Sequence, residues 1–395
     1  MSFRAGIRAV MLPLAGVVAL LLPGSVPPGS ETAPFVVDAR PLDCLNTMFT
    51  EYGNSGAGWT GADSTWSTVL SDGRAVFAFS DTFLGPIDPP RRPDEAGFLH
   101  NSLVVQGVDG RLSTVVGGTE EKPAALIEPT QPDNWYWVGA AVALDGVLQI
   151  PVGEWRSAGP GSWDIEFVGS AVARIAETDL GKVVSVTPLP RGRGIQWGQW
   201  VQPDGQWTHV YGVETAGTEK YLHVARVAGN DLREPLSFWN GYRWSEFEAE
   251  SARIARGVHS ELSVHRVRDG RYLLVTMAND SVFGNRVIGR FAPTPTGPFG
   301  PAVTLYTAPE SGASGSYADP DVYTYNAHAH PEFSTPTELV VSYNVNSLDT
   351  APGGDLYRDV GIYRPRFVTV VLAGADGASG RPAREPCVTG ENSVR

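Results

Sequence analysis

The chain has 395 residues and a formal net charge of −13, which excludes a nucleic-acid binder because phosphate binding needs a surplus of Lys and Arg. Its two cysteines exclude a zinc ribbon, an iron–sulfur protein and a small disulfide scaffold. With 45 glycines, 31 prolines, 11 tryptophans and 42% apolar residues, it reads as a well-packed chain with many turns, and so as an all-β protein.

Met1–Arg8 carries two arginines, Ala9–Leu22 is an almost unbroken apolar run, and Pro23–Ser30 is rich in turn formers. That layout predicts a secretory leader over residues 1–30, with an uncleaved anchor as the alternative, and no other stretch is apolar enough to span a membrane. Residues 31–395 are then expected to form one exported, extracellular domain that acts as a monomer. Export permits disulfides. Cys44 and Cys387 stand near the two ends of this domain, and a bridge between them would tie those ends together; two unpaired thiols are the alternative.

Within the domain no long amphipathic helix is evident, and a strand–turn–strand unit recurs. It appears as Ser64–Leu70 and Ala75–Phe79 around Asp72-Gly73, then as Val138–Leu144 and Val147–Val152 around Asp145-Gly146. It returns at Asp204-Gly205, and at Asp269-Gly270 between Leu262–Val267 and Tyr272–Thr276. A fifth unit lacks Asp-Gly and pairs Glu332–Ser334 with Leu339–Tyr343. Asp-Gly between apolar, β-branched segments is a strong hairpin signal. The turns are 59–73 residues apart, a period that suits four-stranded units with long loops. A further hairpin around Asp109-Gly110, from Ser102–Val105 to Leu112–Val116, supplies the outer half of the first unit. The repeat predicts a five-bladed β-propeller closed near the termini, with a pair of β-sandwiches as the alternative.

In a propeller the innermost strands surround an axial depression, so site residues are sought at one end of each inner hairpin. If Ser71-Asp72-Gly73 is a three-residue loop with Gly73 left-handed, Leu70 pairs with Arg74 and pairing indices sum to 144. Asp63 and Asp81 then face each other. Opposed carboxylates repel and are an odd choice for a purely structural hairpin, although each could instead cap a loop. Paired carboxylates are what glycosidic-bond cleavage needs. In this reading Asp63 is the ionised group, as base or nucleophile, and Asp81 its acid partner.

Matching offsets in other units bring in Glu154, eight residues after Gly146, and Glu261, nine before Gly270, as reserves for the acid. His259, His330 and Asn344 fall near the same rim, as do Trp137 and Trp197, whose rings suit stacking on sugar faces. These seven are the expected substrate contacts. His328 and His330 with Asp319 and Asp321 match no standard zinc spacing, so neither metal nor other cofactor is expected. The reading from another functional class is a non-catalytic glycan-binding propeller at the cell surface.

Several segments carry a family likeness: Gly61-Ala-Asp63 with Ser67–Gly73, Phe79-Ser-Asp81-Thr82, Glu261-Leu-Ser-Val264, Thr296-Gly-Pro-Phe299, and His330-Pro-Glu332 followed by Ser342-Tyr-Asn344. In their order and spacing they resemble secreted five-bladed propeller proteins long labelled only as a domain of unknown function, some of which are endo-D-arabinanases. The resemblance implies hydrolysis of furanoside linkages in mycobacterial-type arabinan or arabinogalactan, with two aspartates of the first blade carrying it. These correspond to Asp63 and Asp81, the latter in Ser-Asp-Thr where relatives often have Gly-Asp-Thr.

Overall fold

The computed structural model describes residues 35–373, apart from 162, 268, 280–283 and 336, together with Cys387. The expected leader over residues 1–30 and the closing segments 374–386 and 388–395 lie outside the described residues. The described chain is all-β with a few short helices, and among the described residues no helix is long and apolar enough to cross a membrane.

Five antiparallel meanders account for most of the strands. The first sheet runs Trp66–Val69, Ala75–Phe79, Ser102–Gln106, Leu112–Val115. The second is built on Asn134–Val138, Val147–Ser157, Ile165–Ala176 and Val183–Pro188, the third on Gln196–Asp204, Trp207–Ala216, Glu219–Ala228 and a short outer hairpin. Leu262–Arg266, Tyr272–Met277, Arg286–Ala292 and Val303–Thr307 form the fourth. The fifth runs Val322–Ala329, Glu338–Ser347, Pro365–Ala373, and its last strand is Phe35–Pro41 from the other end of the chain.

Local chemistry sets these registers. Leu70 N–H donates to Arg74 O at 2.8 Å and Gly73 N–H to Leu70 O at 3.0 Å, with Gly73 at φ +88°. This is the expected three-residue loop, and Trp66↔Ala78 through Val69↔Ala75 follow its register. Asp145-Gly146, both left-handed, makes the tighter two-residue turn between Leu144 and Val147.

Two expectations are corrected. Glu332–Ser334 is not a strand: Pro331, which has no N–H to give a ladder, opens a 3-10 turn over Pro331–Phe333, and the first strand of that sheet is Val322–Ala329. A three-turn helix, Asp43–Asn54, was also not expected; it buries Leu45, Phe49 and Gly53, one per turn, with Phe49 against Trp59, Phe77, Phe79 and Phe367.

Polar contacts join consecutive sheets. Trp66 Nε1–H donates to Val138 O (3.1 Å), Ala140 N–H to Gly198 O (3.0 Å), Tyr211 O–H to Pro295 O (2.9 Å) and Ala329 N–H to Ser263 Oγ (2.9 Å). Fifth and first sheets meet where the His328 ring stacks on Trp66 at 4.0 Å.

Cys44, on the amino-terminal helix, is bonded to Cys387 with Cα atoms 5.8 Å apart, as expected. The bridge spans 343 residues, so it removes much of the unfolded chain's freedom. Cys44→Ser is expected to lose about 4 kcal/mol of stability. Thermal unfolding with and without reductant checks this, and identical midpoints would refute it.

Candidate active site

A cavity of about 780 Å³ is lined by strand residues of the second, third and fifth sheets and by segments that flank the first and fourth. Asp63 and Asp81 enter it side by side. The register sum of 144 carries on past the first sheet: Asp63 N–H donates to Asp81 O at 3.3 Å, and Ala62 pairs with Thr82. Between Asp63 and Trp66 the chain does not lie flat, because Ser64 (φ +76°) and Thr65 (φ +70°) are both left-handed. Such backbone is costly for a β-branched residue and persists only where its surroundings enforce it. Here Asn344 Nδ2–H donates to Thr65 Oγ1 (3.0 Å), His328 Nε2–H to Thr65 O (3.2 Å) and Ser64 Oγ–H to Ser80 Oγ (2.7 Å).

The surroundings treat the acids differently. Tyr325 O–H donates to Asp63 Oδ2 at 2.6 Å, while Asp63 Oδ1 is shut off from solvent. Burial, reinforced by the negative charge of Asp81, holds the Asp63 carboxyl well above the usual carboxylate range. Asp81 Oδ1 accepts from Trp137 Nε1–H at 2.8 Å and lies 2.9 Å from His100 Nδ1. Glu261 is the third acid. Burial pushes it well above the carboxylate range too, and its Oε2 lies 3.4 Å from His328 Nδ1. That contact is not an ion pair, since burial lowers the His328 imidazole to about 4. So Asp63, expected as the ionised group, is the one whose ionisation the site penalises.

Aromatic rings form a wall. From Tyr363 the rings of Phe83, Phe98, His100, Trp135, Trp137 and Trp155 follow with centroids 5.0–6.0 Å apart. Trp163, largely exposed, extends the lining outward from the hairpin between the second sheet's long strands. The lining also includes Gln196, Gln199, Lys220, His259 and Ser260.

Of the expected contacts, Trp137, His259 and Glu261 line the cavity with Asp63 and Asp81, and four others do not. Glu154 accepts from Asn134 Nδ2–H at 2.5 Å, while its neighbours Gly153 and Trp155 face the cavity; alternation along the strand puts Glu154 on the other side. Trp197 is buried in the core, with its indole N–H on Glu248 at 2.9 Å. His330 is buried between Ser67 and Ser342, and Asn344 supports Thr65. His328 and His330 lie apart from the cluster of Asp319, Asp321 and Asp355, whose oxygens are within 4.8 Å of one another. Tyr325, Trp155 and Lys220 were missed; alternation in Tyr323-Thr-Tyr325 and Gly153-Glu-Trp155 was the available signal for the first two.

The model of a domain of unknown function, DUF5005, matches residues 46–373. The chain belongs to the DUF5005 family. No curated protein matches it. Among solved structures, this DUF5005 domain is similar to a candidate hydrolase from Bacteroides ovatus ATCC 8483, at 21% identity and a TM-score of 0.69, over 87% of this chain and 93% of that one. That likeness shows a shared fold. Weaker similarity extends to an alpha-L-arabinofuranosidase from Podospora anserina in complex with cellotriose (11% identity, TM-score 0.44, 84% of this chain and 94% of that one). A GH43_1 enzyme from Xanthomonas citri complexed with xylose is similar at 14% identity and a TM-score of 0.44, over 86% of this chain and 98% of that one.

Proposed function

We propose that this DUF5005 domain is an exported glycoside hydrolase, a monomeric five-bladed propeller whose cavity cleaves furanoside linkages of cell-wall arabinan in the manner of an endo-D-arabinanase. The observation that carries the reading is the convergence of Asp63, Asp81 and Glu261 in one aromatic-walled cavity, with Asp63 and Asp81 on paired backbone. Cleavage needs one group that gives a proton to the departing sugar oxygen and another that acts as a carboxylate. Asp63 suits the first role: it is held protonated by burial and by its neighbour, and Tyr325 fixes its other oxygen. Asp81, oriented by Trp137 Nε1–H, takes the second role as base or nucleophile. Glu261 is a second acid within the same lining whose ionisation burial opposes. The rings of Trp137 and Trp155 give stacking faces for sugars, and the ring Tyr363–Phe83–Phe98 continues the wall. The furanoside preference rests on the likeness of the first-blade motifs.

Incubation with mycobacterial-type arabinogalactan, beside a broad panel of other glycans, tests this. Soluble arabino-oligosaccharides are the expected products. Binding to glycans with no bond cleaved in any of them would replace the hydrolase with a glycan-binding propeller.

A further inference from the structure

We propose that the part of the cavity lining formed by Lys220, His259 and Ser260 is a subsite for an anionic substituent on the glycan, a carboxylate, sulfate or phosphate. The inference rests on the hydrolase reading for the word glycan, and on the cavity alone for the word anionic.

Lys220 is the second residue of Glu219–Ala228, and its ammonium reaches Ser260 Oγ at 2.9 Å and Thr215 Oγ1 at 3.4 Å. Among the described residues no carboxylate lies within ion-pair distance of it. Its neighbours are treated otherwise: Arg193 and Arg253 both pair with Glu214 on the adjacent strand of the same sheet. In a chain with 43 acidic against 30 basic residues, a partly buried lysine lining the main cavity could readily have been given an acidic partner. Among the described residues its side-chain hydrogen bonds go to neutral hydroxyls instead. Beside it His259 Nδ1 is closed off from solvent and has no hydrogen-bond partner. Burial holds the Lys220 ammonium below its ordinary range, and burial with the Lys220 charge takes His259 down to about 4.

A desolvated cation with spare donor capacity is poorly compensated by neutral hydroxyls alone. An anionic group restores the lost solvation through charge-assisted bonds, which are about twice as strong as those a sugar hydroxyl offers. Gln196 and Gln199 supply amide donors in the same lining, and Ser260 can turn its hydroxyl toward either Lys220 or the ligand.

The probes are a uronic acid, a sugar sulfate, a sugar phosphate and the neutral parent sugar, titrated calorimetrically into the Asp81→Asn protein so that turnover plays no part. At least one anionic sugar is expected to bind about tenfold more tightly than its neutral parent, with affinity falling as salt rises. Which of the three binds identifies the substituent. Lys220→Met is expected to erase the preference and Lys220→Arg to retain most of it. Equal affinity for anionic and neutral sugars, or a preference that survives Lys220→Met, overturns the proposal. A Lys220-dependent preference in a protein that cleaves no glycan would uphold the subsite while rejecting the hydrolase.

Discussion

Asp81→Asn and Asp63→Asn are each expected to lower the rate of oligosaccharide release by about a thousandfold, within the range for removing a positioned acid or base. The double variant should be little worse than either alone, because groups that act as a unit are not additive. Stability separates this from a structural role. Asp63 is a half-buried acid whose ionisation is opposed by desolvation and by Asp81, so an amide at that position relieves a penalty rather than removing a support. Asp63→Asn should therefore unfold at the same temperature as the parent or higher while losing activity. Tyr325 keeps a partner, since the amide oxygen still accepts its O–H. The pH profile follows from the same environment: the acid must be protonated, so activity is retained above the ordinary carboxylate range and falls at higher pH as Asp63 ionises. Initial rates with purified arabinogalactan, next to thermal midpoints, decide the matter. Either variant working at the parental rate would end the assignment.

How much of this was legible in the sequence depended on how far each local signal reaches. Asp-Gly turns act over a few residues and fix strand pairing, so the register that opposes Asp63 and Asp81 could be read from Ser71-Asp72-Gly73 alone. The amino-terminal helix also had a signal, Leu45, Phe49 and Gly53 at helical spacing, which the search for longer periodicity passed over. Counting offsets from each turn glycine found Glu261 but not the side of the strand on which Glu154 falls. Trp197, expected at the rim, is turned into the core where the third sheet's first strand bulges between Trp197 and Trp200, with Gly198 at φ +91°. The raised carboxyl of Asp63 was out of reach, because it depends on burial and on Tyr325 and Glu261, which are distant in sequence. A like-charge neighbour could be foreseen, but not the burial that adds to its effect on Asp63.

Glu332→Gln is expected to make stability less dependent on pH, and the sign follows from where Glu332 sits. It lies in the turn Pro331–Phe333, with its carboxyl on Ser67 Oγ; the same hydroxyl contacts His330 Nδ1, and His330 Nε2 meets Ser342 Oγ at 2.8 Å. These contacts join the fifth sheet to the first. His330 Nδ1 and Glu332 Oε1 are 3.9 Å apart, yet they form no ion pair, because burial and His328 keep the imidazole neutral, well below its ordinary range. Burial, opposed by the Ser67 hydrogen bond, raises Glu332 to about 7. An acid raised on folding holds its proton in the native state after the unfolded chain has released it. Its contribution is therefore greatest below the ordinary carboxylate pKa, falls as pH rises toward 7, and is flat above that. The integrated loss is about 3 kcal/mol. The amide keeps an acceptor for Ser67 and cannot ionise, so the stability difference between Glu332→Gln and the parent should grow by about 3 kcal/mol from pH 4.5 to pH 8. Urea unfolding of both proteins at those two pH values gives the difference directly, with every other titrating group common to the pair. Parallel pH dependence in the two proteins would mean that Glu332 is ionised in the native fold and that the junction between the two sheets is held by charge.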